Sequence, residues 1–178
     1  MSSLTERMIG AAKLDVAIYE EVEADTTATG QALLVVVLSS LAAGLSFVTL
    51  NGIRGVIWGT LSAIVGWIIW AGITYLVGTK MLPEPQTRSD MGELLRTLGF
   101  AMSPGILRIL GIIPIIGFVV NLVVLFWLLA AVVVAVRQAL DYMSSGRAVG
   151  VCLIGFIVYI LAFILVGTMS AGISGLMN

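Results

Sequence analysis

The chain has 178 residues, 60% hydrophobic and 11% charged, with a mean hydropathy of +1.12. A soluble domain carries about 25% charged residues and about 45–50% apolar ones, so this composition excludes a soluble globule and leaves the bilayer as solvent. At roughly 20 residues per crossing, the length allows about four to six spans and no separate soluble catalytic domain. The net charge of −1 gives no electrostatic case for nucleic acid.

Missing residue types narrow the chemistry. There is no His, hence no imidazole base and no His-ligated metal or haem. The single Cys, Cys152, excludes an intrachain disulfide and a thiolate cluster. In an apolar run a free Cys reads as a small hydrophobe. The sequence offers no catalytic residue, no cofactor site and no metal site.

The first 29 residues stand apart. They hold Glu6, Asp15, Glu20, Glu21, Glu23 and Asp25 against Arg7 and Lys13, a net charge of −4, while the remainder carries +3. Met8, Ala11, Ala12, Ile18, Tyr19 and Val22 recur near helical spacing, which predicts an amphipathic helix from Thr5 to Val22. The acids do not fit the basic start of a signal peptide, nor docking on anionic lipid. The segment is either a solvated cytoplasmic helix or a docking surface. In the second case it meets a basic partner or this chain's own basic loops, with Glu20, Glu21 and Glu23 as the contact residues.

Residues 30–178 read as one transmembrane domain. Asp25-Thr26-Thr27 offers capping side chains ahead of the first apolar run, Ala32 to Leu50. That run covers about 28 Å, one crossing of a core about 30 Å thick. Asn51-Gly52 marks a turn, and the second span covers about 56–78. A polar loop follows, in which Pro83 and Pro85 stop the helix. Asp90 and Glu93 then form a capping-box pattern ahead of Leu94, Leu95, Leu98 and Ala101.

Residues 94–112 contain Arg96, Arg108 and the break Ser103-Pro104-Gly105. They form either a span broken at Pro104 or an amphipathic segment in the interface. Later crossings are expected at 115–136, after Pro114, and at about 148–170. With a cytoplasmic N-terminus, five spans put seven Lys and Arg inside and two outside; four spans give six to three. The positive-inside rule favours five. Arg96 and Arg108 are then expected near opposite ends of the broken span, reaching toward headgroups. Its freed backbone groups need protein neighbours, so the span is expected to be buried.

No Asp, Glu, Lys or His lies within the unbroken spans, which argues against a proton-coupled carrier. Asn121 is the most polar side chain well inside one. It reads as an interhelical hydrogen bond, with a neutral pore as the alternative. Trp67, Trp70 and Trp127 lie deeper than an interfacial belt and read as packing or lipid contacts. Small residues at helix-contact spacing recur at Gly55 and Gly59, at Gly146 and Gly150, at Ser40 and Gly44, and along Gly167, Ala171 and Gly175.

The order of parts resembles the Yip-one family, the Ypt-interacting proteins. GFAMSP, Gly99 to Pro104, looks like that family's third-span pattern of Gly-Tyr followed by Pro, with Phe100 in the Tyr position. ADTTATGQALLVVVLSSLAAGL and LLRTLGFAMSPGIL look like its prokaryotic members. The resemblance implies five spans, a cytoplasmic N-terminus and an outside C-terminus. Eukaryotic relatives are linked to Rab GTPases through an Asp-Leu-Tyr-Gly-Pro motif that this sequence lacks, so GTPase binding does not carry over.

The expectation is therefore an all-α polytopic bundle of about five transmembrane helices with a short N-terminal amphipathic helix, placed in the inner (plasma) membrane. Its role is expected to be non-catalytic: membrane organisation, or an accessory or scaffold subunit of a larger complex. Its partners are the bilayer and other membrane proteins or further copies of itself. The alternative is a small channel or carrier with a neutral pore.

Overall fold

The computed structural model describes residues 2–176, and every regular element among them is helical. Two short helices, α1 (Leu4–Ala12) and α2 (Val16–Ala24), precede the long ones. The predicted single helix over Thr5 to Val22 is thus a hairpin. Ser3 and Glu6 form a capping box that starts α1. Asp15 accepts from the Ala17 N–H at 3.0 Å and starts α2. Between them Leu14 takes φ 62°, a left-handed conformation that a helix cannot continue through. Apolar spacing alone does not register an Asp that prefers to cap over continuing a helix. Tyr19, fully buried, closes the hairpin by donating to the Ala11 carbonyl at 3.1 Å.

The apolar helices follow as α3 (Thr29–Ser46), α4 (Val48–Leu76), α5 (Met91–Ala101), α6 (Pro114–Ala139) and α7 (Ser145–Leu176). Among the described residues, four stretches are long and apolar enough to cross a membrane: Thr26–Ser46, Gly52–Met81, Met91–Ile112 and Ile116–Ala139. α7 is apolar and uncharged beyond Arg147. The chain is a helical membrane bundle. Gly52, at φ 63°, bends the start of α4 at the predicted turn, a backbone angle that favours glycine. α4 ends in a π-helical turn, Val77–Met81, ahead of Pro83.

The broken third span has a definite form. Asp90 and Glu93 make the reciprocal capping box expected of them, and α5 stops at Ala101. A 3-10 segment, Ser103–Ile112, carries the chain onward. The Ser103 hydroxyl donates to the Phe100 carbonyl at 2.6 Å, so one freed acceptor at the break is met within the protein. Every residue from Leu98 to Ala101, and then Ser103 to Gly105, is buried. α3 runs parallel to this span and against it. A Cβ on Gly99 would meet Ala32 at 2.7 Å, and Gly105 and Gly111 face Ser39 and Ser46 in the same way. α6 returns antiparallel on the other side, with Asn121 near Gly111 and Leu128 near Gly105.

One core cluster joins both parts of the chain. Ala11, Tyr19 and Val22 of the hairpin pack with Val35 of α3, Leu94 and Phe100 of α5, and Ala135 of α6.

Candidate functional site

Polar groups concentrate at one end of the bundle, where α2, the loop before α5, and the turn between α6 and α7 meet. Two arginines hold the hairpin there. The first, Arg7, is 2% exposed; it pairs with Glu21 at 2.9 Å and Asp25 at 2.7 Å, and donates to Gln31 Oε1 at 3.0 Å. Burying a guanidinium is tolerable only with such a set of acceptors. Hydrogen bonds from Ser2, then from Arg7, hold the Glu21 carboxyl down at about 2. Those from Thr27 and Arg7 do the same for Asp25.

The second is Arg96, and here the expectation of a headgroup-seeking side chain is wrong. Arg96 is 5% exposed and donates to the carbonyls of Val22 and Glu23. These are end carbonyls of α2, which lack partners within their own helix and carry partial negative charge. A carbonyl end 73 residues away in the chain leaves no trace in local spacing, so sequence reasoning had no signal for it. Trp127 adds a third tie, its indole donating to the Ala12 carbonyl at 2.7 Å. Trp67 similarly donates to Leu95 O at 3.1 Å. Both indoles therefore join segments by hydrogen bonds as well as by packing, while Trp70 meets Tyr159 edge-on at 6.3 Å.

Beside these ties opens a cleft of about 710 Å³. Glu20, Glu23, Glu93 and Asp141 line it, with Arg137 as its one cation. Arg137 is turned to the backbone, donating to the carbonyls of Tyr142 at 3.2 Å and Met143 at 3.4 Å. The ion pairs among the described residues are those of Arg7 and one between Arg147 and Glu84 at 3.2 Å. None of the four cleft carboxylates is in an ion pair. Burial, followed by the charges of Asp141, Glu93 and Glu20, pushes the Glu23 carboxyl up to about 7 against the pull of Arg96. Asp141 sits at φ 54°, in a turn closed by Gln86 donating to its carbonyl at 3.2 Å. Among the described residues no three acids converge in a metal-binding group.

The predicted contact acids therefore divide. Glu20 and Glu23 line the cleft, with Glu20 accepting from Gln138 at 3.1 Å; Glu21 is taken by Arg7. Glu93 and Asp141 join the site from elsewhere in the chain. Of the packing candidates, Phe100 and Pro104 are buried and Gly99 abuts Ala32. Asn121 donates to Gly117 O at 2.9 Å and Ser46 Oγ at 3.4 Å. Gly59 is exposed with open space beside it, and Gly55 is half-buried. The side-chain surroundings of Gly167, Ala171 and Gly175 lie outside the described residues.

The family model for the Yip1 domain matches residues 16–166. The chain belongs to the Yip1 domain family. The match begins in α2, runs through α3, α4, α5 and α6, and ends inside α7. No curated protein and no solved structure matches it.

Proposed function

We propose that this Yip1-domain protein is a non-catalytic accessory or scaffold subunit that docks a basic segment of a partner membrane protein in the acidic cleft. The observation that carries the reading is the unpaired charge of the cleft, four carboxylates facing one guanidinium that is bound elsewhere. A Lys or Arg side chain entering there meets the exposed Glu20 and Asp141 and the half-buried Glu23 and Glu93, and charge-assisted hydrogen bonds to the half-buried pair are the stronger ones. It would also relieve the repulsion that raises Glu23. The orientation that fits is a cytoplasmic N-terminus and cleft in the inner membrane, with the C-terminus outside. Seven of the nine Lys and Arg fall on the cleft side in that orientation.

The test is co-purification from native membrane in mild detergent. Glu20→Gln, Glu93→Gln and Asp141→Asn together leave Glu21 and its ties to Arg7 in place. The triple variant is expected to recover less partner than the wild type, with the larger deficit at low salt, because exposed charges act through encounter and are screened. Equal recovery at both salt levels would exclude the cleft as the docking surface. Robust solute flux through the isolated protein in liposomes, altered by Asn121→Leu, would replace the scaffold reading with the channel.

A further inference from the structure

The N-terminal hairpin lies along α6. Near the end of that helix Gln138 donates to Glu20 Oε1 at 3.1 Å; eleven residues earlier, the Trp127 indole donates to the Ala12 carbonyl at 2.7 Å. Eleven helical residues rise about 16 Å, so the turn between α1 and α2 sits beside the middle of the apolar stretch Ile116–Ala139. Lys13 and Asp15 of this turn are both exposed. Neither is in an ion pair among the described residues, and the Asp15 carboxylate accepts from the Ala17 N–H of its own helix. The two charges are set in an apolar surface. Ile9 and Val16 flank the turn, 50% and 40% exposed. Beyond it, Leu107 and Leu110 with Val119, Val123 and Trp127 of α6 wall a wholly apolar groove of about 190 Å³. Val119, Val123 and Phe126 form one stripe of α6, each more than half exposed.

A lysine and an aspartate left facing lipid beside the middle of a span are costly, and charges in such places pair with one another. We propose that a second copy of this chain covers this face, related by a twofold axis along the membrane normal, with Lys13 of each copy paired to Asp15 of the other. The charge pattern identifies the occupant. Two residues apart in one turn, Lys13 and Asp15 lie at nearly the same depth, and rotation about the membrane normal leaves depth unchanged. Across a twofold axis a surface meets itself, so an unlike pair is self-complementary and both charges are met at once. A purely basic or purely acidic partner would satisfy one of the two and repel the other. The α6 stripe and the groove then pack around the two ion pairs and exclude water from them. This face shares no lining residue with the acidic cleft, so the inference stands apart from docking there.

Charge reversal tests the pairing. Two differently tagged copies of the full chain are co-expressed, solubilised in mild detergent and captured through one tag. Wild-type copies are expected to capture each other. Lys13→Asp in both copies, or Asp15→Lys in both, sets like charges across the axis and is expected to lower capture at least about tenfold. One Lys13→Asp copy with one Asp15→Lys copy restores both ion pairs, and capture is expected to return to near the wild-type level. Asp15→Lys also removes the cap of α2. Should it fail to fold, Lys13→Cys in a Cys152→Ser background decides in native membranes: a short permeant bismaleimide is expected to join two copies, and an impermeant maleimide to leave the position unreacted. Wild-type copies that stay apart, or mixed variants that pair no better than either variant with itself, would overturn the proposal. Rapid impermeant labelling of Lys13→Cys would overturn it in favour of a water-filled crevice. Loss of a different co-purifying protein on charge reversal, with self-capture unchanged, would give the face to that protein.

Discussion

The Arg7 guanidinium binds Glu21 through two nitrogens, Nε at 3.1 Å and Nη2 at 2.9 Å, on a side chain 2% exposed. Nη2 also reaches Asp25 at 2.7 Å, so one cation joins α1 to both ends of the acidic stretch that precedes α3. Arg7→Gln leaves two carboxylates facing each other without it. Removing one partner of a buried pair costs about 3–5 kcal/mol, and because Glu21 keeps 29% of its surface in water the expected loss is nearer about 2 kcal/mol. Thermal unfolding in detergent should show the lower midpoint, and limited proteolysis should cut the N-terminal hairpin first.

The same pair sets an acid limit. Glu21 and Asp25 are both held at about 2, below their ordinary values of 4.5 and 3.8. A depressed carboxylate contributes stability above its unfolded pKa and loses it as pH falls through the folded one. The hairpin is therefore expected to loosen between about pH 4.5 and pH 2, and the order of loss is measurable by hydrogen exchange over that window.

Glu23 works in the other direction. Its carboxyl, pushed up to about 7, favours the folded state when protonated. Its contribution is fully present below about pH 4.5 and is lost as pH rises toward 7. Glu23→Gln is expected to raise the melting midpoint at pH 8 while changing little at pH 4. The gain is on the order of 1–2 kcal/mol after discounting for the water in the open cleft. A variant that melts lower than the wild type at pH 8 would contradict this account of the cleft.

Gly99 sets the distance between α3 and α5. A methyl group there would meet the Ala32 Cβ at 2.7 Å and the Ala32 backbone at 3.1 Å. Gly99→Ala is expected to destabilise by about 1–3 kcal/mol, since backbone must shift to admit it. Gly59→Ala, with nothing within 4 Å, is expected to leave stability unchanged or slightly raised by helix propensity. Paired thermal melts separate the two glycines.

Topology is open to direct labelling. Gln86 and Ser145 are both exposed, at the end of the bundle that holds the cleft. Cysteines placed at the two positions in a Cys152→Ser background should react with an impermeant reagent from the same, cytoplasmic side. Reaction of Ser145→Cys only from outside would remove the five-span arrangement.

The sequence by itself determined the solvent, the helical class and the position of the long helices. Uncharged runs of about 20 residues have no alternative solution in lipid, so helices over the first apolar run and over 115–136 were legible without any contact, although α3 ends at Ser46 and Leu50 already belongs to α4. Local chemistry also carried the capping box of Asp90 and Glu93, the bend at Gly52 and the break ahead of Pro104, because each depends on neighbours in sequence. The tertiary structure decided what no local pattern encodes. Arg96 and Arg108 look alike in sequence, each a cation in an apolar stretch. Only packing shows that Arg96 finds the carbonyl end of α2 while the Arg108 Nε finds no acceptor among the described residues. Likewise Glu20, Glu21 and Glu23 read as one acidic face. Folding gives Glu21 to Arg7 and places the other two with Glu93 and Asp141 in the cleft. The physical reason is the same in both cases. A charge in or near a membrane takes its meaning from the partner that satisfies it, and that partner is brought near by the fold rather than by the chain.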